Sequence, residues 1–180
     1  MESLDAFNDD PNHLKGIGGW LILVAIGVTL SPFILVADAY STYKDLFSIG
    51  SFELLTDPSS PSYIPHFGAL IYGEIIINGL FILLGLVLIY LFYSQHHHFP
   101  LLYMILAIAT PTFLLVDAWA AAKVLPQMEM FDEETTRLLT RSIITVAIWV
   151  PYMLVSERVK QTFVRPSQPN QHTSEEITFK

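Results

Sequence analysis

Residues 110–123, TPTFLLVDAWAAAK, decide how this chain is read. They place Asp117 inside an apolar run, where little water reaches and a carboxylate needs a partner, a cavity or a proton. Residues 31–44, SPFILVADAYSTYK, have the same spacing: Ser31-Pro32, five residues, Asp38-Ala39-Tyr40, three residues and Lys44. The shared pattern predicts one hairpin used twice. A second match, Tyr90 to His96 against Tyr152 to Arg158, extends the repeat to the ends of the second and fourth apolar runs. Parallel hairpins of this kind are related by a pseudo-two-fold axis along the membrane normal.

Composition supports the membrane reading. Of 180 residues, 52% are hydrophobic and only 14% charged, and mean hydropathy is positive, so the expected solvent is a bilayer. The net charge of −8 falls mostly outside the apolar runs, and there are no basic blocks, which argues against nucleic acid as a partner. With no cysteine, the chain has no disulfide, thiolate metal site or cysteine nucleophile of its own. Residues 1–15 are acidic and do not read as a signal peptide.

Four apolar runs, about 17–40, 68–94, 101–124 and 137–156, are each long enough to cross a hydrocarbon layer of about 30 Å. The predicted fold is therefore all-α: a polytopic membrane protein with four transmembrane helices in two similar hairpins. Its domain covers 16–164, between polar tails at 1–15 and 165–180 that are expected to be disordered. In the first outer connection, 41–67, charged residues mixed with aromatics predict a short helix lying on the interface. Lys15, Arg158, Lys160 and Arg165 on the terminal side, against Lys44, Lys123 and Arg137 opposite, put both termini in the cytoplasm.

Counting depth at about 1.5 Å per residue, Asp38, Glu74, Asp117 and Arg141 all fall in the outer third of their spans. Each heads a polar or small-residue stripe: Glu74 with Asn78 and Gly85, Arg141 with Thr145 and Tyr152, Asp38 with Ser31 and Gly27, Asp117 with Thr110. If the stripes face inward, Asp38, Glu74, Asn78, Asp117 and Arg141 line an outward-opening pocket with more carboxylate than guanidinium. The competing reading puts Asp38 and Glu74 at the interface and makes Asp117 with Arg141 a bridge that locks helix register. Pro32, Pro111 and Pro151 are expected to kink or break their helices.

Two motifs are read as structural. Gly16, Gly18 and Gly19 follow no strand and precede no lysine at phosphate-loop spacing, so close helix approach explains them better. His96-His97-His98 is read as a solvated turn, because consecutive side chains do not share a helix face. No metal and no cofactor are expected.

Gly16 to Leu23, Ser31-Pro32, Glu74 with Asn78, Phe99-Pro100 and, most specifically, Trp149-Val150-Pro151-Tyr152 running into Ser156-Glu157-Arg158-Val159 resemble the bacterial membrane family catalogued as domain of unknown function 2569. The resemblance covers about residues 14 to 164. It implies a four-span protein of the bacterial inner membrane and carries over no catalytic residue; the His96 to His98 turn departs from the more basic turn associated with the family. The expected function is a non-enzymatic accessory or interaction protein, its partners the lipid bilayer and another membrane protein or a second copy. The alternative is a small carrier or sensor that binds a cation, proton or small polar ligand in the outer pocket. No local nucleophile or zinc signature supports an enzyme.

Overall fold

A computed structural model describes residues 15–125 and 127–164; the two polar tails lie outside the described residues, apart from Lys15. Among the described residues the chain is all helical, with α1 (Leu21–Ser48), α2 (Ser51–Thr56), α3 (Phe67–Tyr93), α4 (Phe99–Val124), α5 (Glu133–Val155) and α6 (Glu157–Thr162). Four of them, α1, α3, α4 and α5, are long and apolar enough to cross a membrane, with 28, 27, 26 and 23 residues. They account for the four apolar runs, and the chain has the make-up of a multi-pass membrane protein. Side chains such as Phe33, Ile76, Leu83, Ile105 and Ile148 stand exposed along them, as lipid-facing residues should.

The first helix is longer than its apolar run. No glycine or proline interrupts 41–48, so α1 continues past Tyr40 to Ser48, and the chain turns only at Gly50, which adopts φ 70° ahead of α2. Residues 41–67, where the sequence predicts a short helix, thus hold the end of α1 and the six residues of α2. Phe52 of α2 packs against Phe47, Phe67 and Tyr72, and Ile64 N–H donates to Leu55 O at 3.0 Å. These contacts tie the connection between α1 and α3 onto both helices.

Helices α1, α4 and α5 run through Pro32, Pro111 and Pro151 without a break. At Pro32 part of the reason is local: a proline leaves the carbonyl four residues earlier without its N–H, and Ser31 Oγ donates to that carbonyl, Val28 O, at 3.3 Å. The buried Pro32 ring also meets Gly85 of α3, where a Cβ would lie 3.3 Å from Pro32 Cβ. Lack of a side chain at Gly85 lets α1 and α3 approach closely.

The helices pack in the order α1, α3, α4, α5, with the main contacts between α1 and α3 and between α4 and α5. The buried core lies at one end of this array, where both described chain ends and the turn between α3 and α4 also lie. It consists of Leu21, Val24 and Val28 of α1, Leu88 and Phe92 of α3, Phe99 of α4, Met153 of α5, and Val159 and Phe163 at α6. Phe99 stacks on Phe163 at 4.6 Å between ring centroids and meets Phe92 edge-on at 4.9 Å.

At this end the chain also closes on itself. Thr162, only 1% exposed, accepts a hydrogen bond from Gly16 N–H at 3.0 Å and donates to Gly16 O at 3.2 Å. The Arg158 guanidinium lies over Gly18, where a Cβ would come within 2.7 Å of it, and Trp20 meets Trp149 edge-on at 6.5 Å. The glycine segment therefore works as a docking strip for α6, its conformation permitted by φ of 105° at Gly16 and 55° at Gly19.

Candidate polar site

Away from the packed end, polar side chains of three helices converge. Glu74 and Asn78 lie one turn apart on the same face of α3, and both are half-buried. Tyr43 reaches them from the C-terminal extension of α1. Its hydroxyl accepts from Asn78 Nδ2 at 3.2 Å and donates to Glu74 Oε2 across a long 3.5 Å. Asp117 of α4, also half-buried, is near enough to act electrostatically on both Glu74 and Tyr43. The result is a hydrogen-bonded hydroxyl, amide and carboxyl group from α1 and α3, with the Asp117 carboxyl of α4 in their neighbourhood.

The other two residues of the sequence-based set stand apart. Asp38 is exposed on α1 and Arg141 is exposed on α5. The ion pairs among the described residues are Arg137 with Glu134 at 3.8 Å and Lys160 with Glu157 at 2.8 Å, so neither joins Arg141 to Asp117 or Glu74. Arg141 instead lines an open groove of about 590 Å³ with Arg137, Thr140 and Thr145 of α5 and Phe131 and Asp132 before it. All the residues of that groove come from α5 and the turn leading into it, so this polar stripe points away from the other three long helices. A second open groove, between α3 and α4, is apolar and includes Phe81 and Phe113, whose rings are 5.8 Å apart.

Tyr43 is not among the residues singled out from the sequence, because 41–67 read as a connection with a short interfacial helix and not as a continuation of the first span. The signal that could have found it is the lack of any helix breaker before Gly50. Outside the spans, two carboxylates are held by local hydrogen bonds. Asp132 caps α5, accepting from Thr135 N–H at 2.7 Å, and that backbone bond holds its carboxyl below the usual range. Asp57 accepts from Ser59 N–H at 2.9 Å and Ser59 Oγ at 2.8 Å, with the same effect.

The three histidines converge more than helical spacing would allow. They occupy a turn, with ring centroids of neighbours 4.4 and 3.9 Å apart and those of His96 and His98 5.0 Å apart. No curated protein and no solved structure matches the chain. One family model does, over residues 14–164, and its description is "Protein of unknown function (DUF2569)".

Proposed function

This chain belongs to the DUF2569 family of proteins of unknown function, and we propose that it acts as a non-enzymatic interaction subunit of the bacterial inner membrane, with both termini in the cytoplasm. The observation that carries the reading is the exposed polar stripe on α5, where Arg141, Thr140 and Thr145 border a groove built from α5 and its leading turn alone. An arginine inside a span costs about 2.5–3.5 kcal/mol on insertion scales unless it is paired or reaches water. A neighbouring membrane protein with a carboxylate at the same depth satisfies it. The internal repeat belongs to the same proposal: close packing of α1 on α3 and of α4 on α5 supports two hairpins, each with an acidic residue late in its first helix.

The test places a photo-crosslinking residue at position 140 in cells. A discrete adduct of defined mass at 140, absent with the crosslinker at Ile108 in the apolar groove and lost when Arg141→Glu is added, is the expected result. Lipid adducts alone at both positions would sink the interaction reading.

A second reading, a small carrier or sensor, draws support from the cluster of Tyr43, Glu74, Asn78 and Asp117. Two half-buried carboxyl groups without a basic partner among the described ion pairs need a proton or a cation to be stable in a span. Under this reading Glu74→Gln abolishes cation- or proton-dependent changes in the fluorescence of Trp119 on α4 while the protein stays folded. Under the interaction reading alone, the substitution leaves the adduct at position 140 intact.

A further inference from the structure

We propose that the turn between α3 and α4 binds a single divalent transition-metal ion through the imidazoles of His96, His97 and His98. The backbone there is fixed from both sides. Helix α3 ends in a Schellman arrangement: His96 N–H donates to Leu91 O at 2.9 Å, Gln95 N–H donates to Phe92 O at 3.0 Å, and Gln95 takes φ 52°. Helix α4 starts immediately afterwards, with Phe99 N–H donating to His96 O at 2.9 Å. The Phe99 ring is fully buried against Phe92 and Phe163, which anchors the far side of the turn in the core. Three consecutive side chains therefore leave a closed turn, where they can share one side, and not a helix, where they would fan out by about 100° each.

The geometry then suits an ion. Each imidazole offers one nitrogen, and the three lie within 4.8 Å of one another. A tetrahedral ion with metal–nitrogen bonds of about 2.0–2.1 Å needs its ligands about 3.4 Å apart, so binding draws the three nitrogens together by at most about 1.4 Å. The 3.3 Å contact from His98 N–H to His96 Nδ1 orients the first ring and is long enough to yield if that nitrogen takes the ion. A donor set of imidazoles without carboxylates selects zinc, copper or nickel over magnesium or calcium. Three neutral ligands leave the ion its full positive charge and one position open to water or to a donor from another molecule. Bound there, the ion would clip together the end of α3 and the start of α4 on the face that carries the clasp of Gly16 and Thr162.

The experiment uses the full chain in detergent micelles, purified without a polyhistidine tag and titrated with Zn²⁺ by calorimetry and with Co²⁺ by visible absorption. One ion per chain is expected, bound at least about tenfold more tightly than by a free peptide of residues 94–100, which has the same triplet without the fixed turn. Gln95→Val keeps all three histidines, strains the left-handed position and should weaken binding toward the peptide's value. Equal affinities of protein and peptide would reduce the site to an effect of composition and overturn the proposal. So would retention of the one-to-one site after His96→Asn, His97→Asn and His98→Asn together.

Discussion

Replacing Gly85 by valine should separate α1 from α3, and the structure sets both the size of the effect and its control. A Cβ at position 85 would lie 3.3 Å from Pro32 Cβ, with Cγ and Cδ of the ring at 3.7 and 3.8 Å. A methyl group there requires a shift of only a few tenths of an ångström. The two further carbons of valine have to enter space that the rigid ring already fills, and overpacking of this kind costs about 1–3 kcal/mol. Gly79 lies on the same helix with nothing within 4 Å of an added Cβ. Valine at 79 therefore changes helix propensity alone, and that change is common to both sites. Alanine resolves the terms further: relative to glycine it favours a helix interior by about 0.5–1 kcal/mol, so Gly79→Ala should be neutral to stabilising and Gly85→Ala less favourable. Unfolding of the micelle-bound protein by sodium dodecyl sulfate, followed by circular dichroism, gives the comparison. Gly85→Val should be less stable than Gly79→Val by about 1–3 kcal/mol. Equal losses at the two positions would refute the claim that the contact with Pro32 sets the approach of α1 to α3.

Thr162→Val removes both hydrogen bonds to Gly16 and should lower stability by about 1–3 kcal/mol, at about 0.5–1.5 kcal/mol per bond. Hydrogen exchange at the Gly16 amide reads this directly: protection should fall in Thr162→Val and survive in Thr162→Ser. The cap of α5 makes stability depend on acid. The Asp132 carboxyl is held below its ordinary value in the folded state, so its contribution is complete at neutral pH and is lost as pH falls below about 4 through the depressed folded value. Fraying of the Thr135 amide should thus rise on acidification in the native protein, whereas Asp132→Asn, which still caps but does not titrate, should flatten the dependence.

The four long helices were legible in the sequence because bilayer thickness converts directly into run length, and no tertiary contact is needed to recognise 20 or more apolar residues. Helix ends were less so. The C-terminal end of α1 carries Lys44 and Asp45, and their polarity read as the start of a connection although the backbone has no reason to stop before Gly50. That one boundary hid Tyr43 from the polar set. Glu74 and Asn78 came out together because residues four apart on a helix share a face whatever the helix packs against. Arg141 did not, because a stripe fixes which residues lie side by side and not the direction in which the helix turns them. Its azimuth follows from how α5 sits on α4, which depends on contacts far apart in the chain. The histidine triplet was legible as a turn, but the mutual approach of its rings was not, because it follows from the left-handed Gln95 that takes them out of the helix.

The clasp between Gly16 and Thr162 spans 146 positions along the chain. A ribosome adding about 5–20 residues per second needs about 7–30 s to travel that distance. Throughout that interval the glycine strip has been made and the hydroxyl that satisfies it has not. Helix α1 is therefore made with its leading edge unsealed, and the seal arrives only with α6. Loss of the chain from Thr162 onward would leave the protein in this unsealed form, so closure of the glycine strip depends on a residue made 146 positions later.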